Sequence, residues 1–235
     1  MAAVQSSMID GDISLKDDNF LILGNGIIDL SPTPMLIQEV SQKDIINQEL
    51  LNIADTLPAK NLYIKNNQDP NKDNLFFSSQ NAYVPGNNIL LMENDKINLL
   101  KTQIMQGVRK MLNLTPNNKN NKYTVKILNS WLQKYKDGSF LSPHNHCTGN
   151  MDSSHKYYSI AYYIDDGDPD KTQTYCGCVT FIIHNKLFHI RPRPGLLLIW
   201  PSELVHLVNP FNSQSNKERC MLSTNVSVEI VQNMK

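Results

Sequence analysis

The sequence predicts a mainly β domain of the sandwich or jelly-roll type preceded by two helices, an α+β chain overall. Two observations carry the prediction. From Tyr123 onward the chain breaks into six or more short β-branched and aromatic runs separated by turn clusters. Before that point two stretches repeat apolar residues at the helical period instead.

The first helical stretch covers residues 42–57, with Ile45, Ile46, Leu50, Leu51, Ile53 and Ala54 on one stripe. Ser41 opens it as the expected N-cap and Pro58 closes it. The second covers residues 93–112, with Ile97, Leu100, Ile104, Val108 and Leu112 in phase. Polar loops follow at residues 66–74 and 117–122, and the second is a natural boundary before the β part. The strand readings are residues 123–135 ending at an Asp137-Gly138 turn, 157–164, a hairpin of 178–184 and 187–191 about Asn185-Lys186, 195–201, and 218–230. Gly24-Asn25-Gly26 reads as a loop, since a phosphate loop would need a third glycine and a following helix.

Composition narrows the class. Among 235 residues, Lys+Arg and Asp+Glu both number 22, so there is no basic footprint for nucleic acid or anionic membrane. The longest apolar runs, at 88–92 and 196–200, fall far short of the ~20 residues of a spanning helix. The start of the chain lacks the basic and apolar regions of a signal peptide, so a reduced, cytoplasmic protein is expected. Glycosylation-type tripeptides at Asn113 and Asn225 then read as chance. Cys176 and Cys178 flank one glycine and are too close in an extended strand to pair easily.

The chemistry concentrates on histidine. His144 and His146 stand at i and i+2, so an extended strand would aim both at one point. A distant third ligand, His206, would complete a facial set with open positions, which suits iron that must bind a co-substrate and oxygen. His155 reads as a solvated loop residue, His184 and His189 as strand-surface residues. Trp131 and Trp200 read as core aromatics, with Trp200 close enough in sequence to His206 to line a pocket. The acidic run 165–170 is read as a turn.

These residues sit in a wider pattern. It comprises Leu132, Gln133, Lys134 and Tyr135; Asp137-Gly138; Pro143, His144 and His146; residues 159–164; Gly177 to Phe181; Pro194-Gly195 with 196–201; His206; and Arg219 followed by Ser223, Thr224 and Asn225. In order and rough spacing the pattern resembles the 2-oxoglutarate- and Fe(II)-dependent oxygenases from about residue 123 to 230. The resemblance is closest to prolyl 4-hydroxylase and its bacterial and viral relatives.

The resemblance implies a double-stranded β-helix, a cupin-like jelly roll, with the two amphipathic helices packed on its major sheet. Residues 1–122 would form a supporting region and 123–235 the oxygenase core, integrated as one domain. His144 would be the first metal ligand and His206 the distal one. Arg219, thirteen positions on (219 − 206), would pair with the far carboxylate of 2-oxoglutarate through its planar fork. Tyr135, Tyr163 and Ser223 would line the co-substrate. Fe(II), 2-oxoglutarate and O2 are implied, with ascorbate as reductant. The product set would be succinate, CO2 and a hydroxylated substrate, a small molecule or an amino-acid side chain such as peptidyl proline.

Two positions depart from the family. His146 stands where a carboxylate ligand is usual. Three arrangements fit: His146 as third ligand, Asp152 from the following loop, or two histidines and an exogenous anion. Leu141 stands where a co-substrate tyrosine is common, leaving Tyr135, Tyr162 or Tyr163 to compensate. The rival readings are a cupin-like metal-binding isomerase or binding module without 2-oxoglutarate, and a non-catalytic jelly-roll assembly protein.

Overall fold

The computed structural model describes residues 13–16, 19–22, 26–29, 34–57, 60–61, 82–113, 122–147 and 155–231, with side chains at 34–57, 88–113, 122–147 and 155–229. The Gly24-Asn25-Gly26 turn, the 66–74 loop, most of the 117–122 loop and Asp152 therefore lie outside the described residues.

Strands β1 (Ile13–Lys16), β2 (Asn19–Ile22), β3 (Gly26–Asp29) and β4 (Pro34–Glu39) precede helix α1 (Lys43–Thr56). Strands β5 (Lys60–Asn61) and β6 (Ala82–Asn87) lead through a 3-10 turn at Ile89–Leu91 to α2 (Asp95–Asn113). Then follow β7 (Lys122–Tyr135), β8 (Ser139–His144), β9 (His155–Asp165), β10 (Val179–Ile183), β11 (Lys186–Ile190), β12 (Leu196–Pro201), β13 (His206–Phe211) and β14 (Arg219–Val231). No helix among the described residues is long and apolar enough to cross a membrane.

The chain alternates between two sheets. One runs β3-β4-β12-β9-β14-β7-β6-β5 and the other β1-β2-β11-β10-β13-β8. From β7 onward each connection changes sheet except the β10–β11 hairpin, which is the jelly-roll order. The pairings are antiparallel apart from β2 with β11. The mainly β, two-helix, jelly-roll expectation therefore holds.

Side-chain parity divides the apolar residues into two clusters. The even positions of β9, Tyr158, Ile160, Tyr162 and Ile164, share one cluster with Ile46, Leu50 and Ile53 of α1 and Ile97, Leu100, Ile104 and Val108 of α2. The odd positions Ala161 and Tyr163 face the space between the sheets, with Tyr135, Phe181, Leu198, Trp200, Phe211 and Met221. Gly107 of α2 lets the helix approach β4 and β12, since a Cβ there would stand 2.6 Å from Ile199 Cδ1 and 2.8 Å from Leu36 Cδ2.

Several local expectations are corrected. Ser41 is not the N-cap of α1. Gln42 occupies that place in the left-handed region (φ 57°), and Ser41 instead bonds Gln103 of α2 through both its backbone N–H (2.7 Å) and its hydroxyl (3.0 Å). Ile45 lies on the outer face, 47% exposed. Helix α2 starts two residues later than expected because Asn94 Oδ1 accepts from the N–H groups of Lys96 (2.9 Å) and Ile97 (3.2 Å), an N-cap. The β10–β11 turn is His184-Asn185, one residue earlier than read, with both residues at positive φ (49° and 61°) as a two-residue hairpin turn demands. His184 is thus a turn residue, His155 begins β9 rather than a loop, and His189 is buried. The 165–170 run turns as expected, with Asp165 and Asp166 side chains accepting from the N–H groups of Gly167 and Asp168.

Candidate functional site

The inner face of the eight-stranded sheet carries Trp131, Gln133 and Tyr135 from β7, Ser159, Ala161 and Tyr163 from β9, and Arg219, Met221, Ser223 and Asn225 from β14. This follows from the period of two and the register that pairs Arg219 with Tyr135 and Ser223 with Trp131. The opposite sheet brings His206 beside His144, which pair across β13 and β8.

His144, His146 and His206 converge there, with one ring nitrogen from each lying within 4.8 Å of the others. Ring centroids are 4.3 Å apart for His144–His206, 5.1 Å for His146–His206 and 5.3 Å for His144–His146. His144 ends β8 and His206 opens β13, whereas His146 lies outside the strands. His146 follows the end of β8 and is fixed by its own N–H, which donates to Ser202 O at 2.9 Å.

The hydrogen bonds select the tautomers. A backbone carbonyl only accepts, so His144 Nδ1 donates to Ser142 O at 2.8 Å and His206 Nδ1 donates to Leu204 O at 3.0 Å. In both rings the lone pair then sits on Nε2, the atom a metal needs. Burial also keeps these rings neutral. It pushes His206 down to about 3, with the neighbouring His144 adding to the effect, and lowers His144 and His146 as well. Neutral imidazoles held by carbonyl acceptors are a donor set that could hold a divalent transition metal. Asp152 is not among the described residues.

Trp131, read as core, is half-buried with its ring 6.3 Å from that of His146, so it borders the site. Trp200 is both core and wall, 3% exposed and 5.0 Å from the His206 ring.

At the other end lies Arg219, 1% exposed. Its Nη1 donates to Gly177 O, while Nε and Nη2 are buried without a hydrogen-bond partner. No ion pair among the described residues includes it. Its guanidinium carbon lies 4.0 Å from the Tyr135 ring centroid, 5.5 Å from Phe211 and 6.0 Å from Tyr163. Burial raises the phenols of Tyr135 and Tyr163, which therefore stay protonated. A buried guanidinium with two unmatched donors costs several kcal/mol, and a carboxylate would satisfy both donors at once. That deficit is what a carboxylate ligand would relieve, so Arg219 suits an anion. Gly177 (φ 62°) makes the fit possible, since a Cβ there would lie 3.1 Å from Arg219 Nη1.

Ser223 lies between the two ends, 7% exposed, its hydroxyl donating to Gln133 Oε1 at 2.9 Å. Tyr162 faces the other way and donates to Asn47 of α1, so Tyr135 and Tyr163 are the tyrosines beside Arg219. Leu141 packs against the inner apolar cluster. Gln133, Ser159 and Asn225 complete the site; the sequence pattern contains them but gave them no role. Their signal was the i, i+2 spacing from Tyr135, Ala161 and Ser223.

Residues 129–225 match the family described as "Putative 2OG-Fe(II) oxygenase". No curated protein matches the chain. Among solved structures, the chain is similar to a Pseudomonas putida prolyl-4-hydroxylase (14% identity, TM-score 0.54, covering 86% of this chain and 95% of that one). It is also similar to a Trichoplax adhaerens prolyl hydroxylase in complex with a hypoxia inducible factor peptide fragment (15%, TM-score 0.54, covering 83% and 82%). A third is HygX from Streptomyces hygroscopicus with nickel, 2-oxoglutarate and hygromycin B bound (11%, TM-score 0.57, covering 83% of each). At these identities the structures establish the shared fold.

Proposed function

We propose that this chain, a member of the 2-oxoglutarate/Fe(II) oxygenase superfamily, binds its metal through His144, His146 and His206 and its co-substrate through Arg219. It is an oxygenase enzyme whose cofactors are Fe(II) and 2-oxoglutarate and whose second substrate is O2. When bound, the pair supplies oxidative decarboxylation to succinate and CO2, coupled to oxidation of a substrate C–H bond. The chain's own residues orient and enclose it. Arg219 takes the far carboxylate, Tyr135 and Tyr163 wall that end, and Ser223 with Gln133 offers polar groups between the two ends.

We assign the reaction to hydroxylation, with a side chain carried on a peptide, prolyl first, as the leading substrate class. Two neighbours described as prolyl hydroxylases support that choice, and a small molecule is the second class. Residues 123–235 act as the oxygenase core and 1–122 as its support, with α1 and α2 bracing the eight-stranded sheet. Four free cysteines suit a reducing, cytoplasmic setting in which ascorbate could serve as reductant.

The observation that carries this reading is Arg219, a buried cation with two unmatched donors on the same sheet face as residues bordering the histidine cluster. A cupin-like isomerase has no need of it. Purified protein with Fe(II), 2-oxoglutarate and O2 is expected to release succinate even without prime substrate, and Arg219→Ala to release far less at equal co-substrate. No succinate from the wild type, with metal bound equally by both proteins, would place the chain among metal-binding jelly rolls of another activity.

A further inference from the structure

The carboxylate position of the site is filled by His146, whose environment differs from that of the other two histidines. His144 and His206 are each held by a backbone carbonyl two residues before them. His146 has no such carbonyl at Nδ1. That atom lies 2.6 Å from Asn225 Oδ1 and 2.9 Å from Ser159 Oγ. Both partners come from the major sheet, and both are tied down. Asn225 Nδ2 donates to Asn129 Oδ1 at 2.9 Å, which turns Oδ1 toward the histidine. The Ser159 hydroxyl donates to the same Oδ1 at 3.1 Å and lies 2.9 Å from the Ser202 hydroxyl.

The backbone supports this arrangement. Asn225 pairs with Asn129, but the next residue, Val226, pairs with Ile127, so Leu128 is an extra residue in β7. Leu128 is 43% exposed, as a bulged residue should be. The bulge reverses side-chain parity. Val125 and Ile127 pack with the helix-side cluster, yet Asn129, Trp131, Gln133 and Tyr135 share the inner face. In a strand that ran regularly through Leu128, Asn129 would follow Val125 and Ile127 onto the outer face and Asn225 would lose its amide partner. Bulges beside sites commonly re-aim a side chain in this way.

We infer that Asn225, aimed by Asn129 at the β7 bulge and seconded by Ser159, is a positioning residue that fixes His146 as the Nδ1–H tautomer and so makes its Nε2 the third metal donor. This rests on the metal site proposed above and deepens it. An amide oxygen replaces the carbonyl that the other two histidines use, so the chain presents three neutral imidazoles with one protonation pattern. The bond runs from His146 Nδ1–H to an oxygen that only accepts. The converse tautomer would set two lone pairs against each other at 2.6 Å.

The test uses full-length protein, Co(II) alone as the probe, and three variants. Asn225→Ala removes the acceptor, Asn225→Asp keeps an acceptor that cannot donate, and Asn129→Ala removes the orienting partner. Orienting partners of this kind carry about 10–100-fold in metal affinity. Asn225→Ala is expected to weaken Co(II) binding by about that factor and Asn225→Asp to restore it to within a few-fold of wild type. Asn129→Ala should fall between them. In the metal-free proteins, 15N spectra of labelled histidine should show one ring losing its Nδ1–H signature in Asn225→Ala and keeping it in Asn225→Asp. Equal Co(II) affinity across wild type, Asn225→Ala and Asn225→Asp would overturn the inference and leave the metal site standing. Equal loss in Asn225→Ala and Asn225→Asp would also overturn it, as a packing effect. Failure of the wild type to bind Co(II) would overturn the metal site itself, and the inference with it.

Discussion

Arg219 is the residue on which structure and chemistry are most tightly joined. Its burial at 1% exposure with two unmatched donors makes it a cost in the free protein, which the proposed carboxylate partner would offset. Arg219→Met is therefore expected to leave the metal-free protein at least as stable as wild type, read as its denaturant midpoint. The same variant should raise the KM for 2-oxoglutarate about 100-fold, since a buried charge-assisted pair is worth about 2–5 kcal/mol. Loss of stability together with unchanged KM would show that the guanidinium serves the fold. At this scale the sequence was informative because metal and anion chemistry restrict residue types severely. His144, His206 and Arg219 were named through the resemblance to the oxygenase family, and side-chain chemistry explains why those residue types suit the roles it implies. Asn225 could not be named, because an asparagine within a strand has many uses and its role depends on a bulge in another strand. The same limit left Tyr162 beside Tyr163 as alternatives until strand parity separated them.

Elements were legible where their pattern was local and regular. The two helices follow from apolar periodicity, and all five apolar positions read for α2 are buried. Strands β7, β9, β12 and β14 match the readings within a few residues. What escaped was determined by long-range pairing. β4 is short and reaches the rest of the sheet through β12, far along the chain, and β8 and β13 are broken by register shifts that blur alternation. His189 looked like a surface residue because Thr180, its partner at 2.7 Å, lies across a hairpin, and Tyr175 covers it with ring centroids 4.0 Å apart. Packing at this scale makes a sharp prediction at Gly107. Helix propensity alone favours replacing a mid-helix glycine, but a large side chain would collide with Ile199 and Leu36. Gly107→Leu is expected to cost about 1–3 kcal/mol by urea unfolding, against the sign that propensity gives.

Across the whole molecule, the buried histidines couple stability to pH. His206 sits at about 3 when folded because burial opposes its charge, whereas an unfolded histidine titrates near about 6.5. Between those values the unfolded chain binds the extra proton, so stability falls as pH drops through that window and is constant above it. His144 and His146 shift in the same direction. Metal-free protein is expected to lose up to about 1.4 kcal/mol per pH unit through His206 between about pH 6.5 and its folded value, with His144 and His146 adding in the same direction. Bound metal should resist that loss until protons displace it. A His206→Asn variant should have the shallower slope in denaturant titrations repeated across pH. The jelly roll thus holds a neutral histidine cluster and a buried cation on facing sheets, which the proposed function assigns to a metal and an anion. Anaerobic addition of Fe(II) and then 2-oxoglutarate tests that pairing most directly. A metal-to-ligand charge-transfer band is expected in the wild type, absent in His206→Ala, and requiring far more 2-oxoglutarate in Arg219→Ala. No band in the wild type, or a band equally strong at equal co-substrate in Arg219→Ala, would contradict the account.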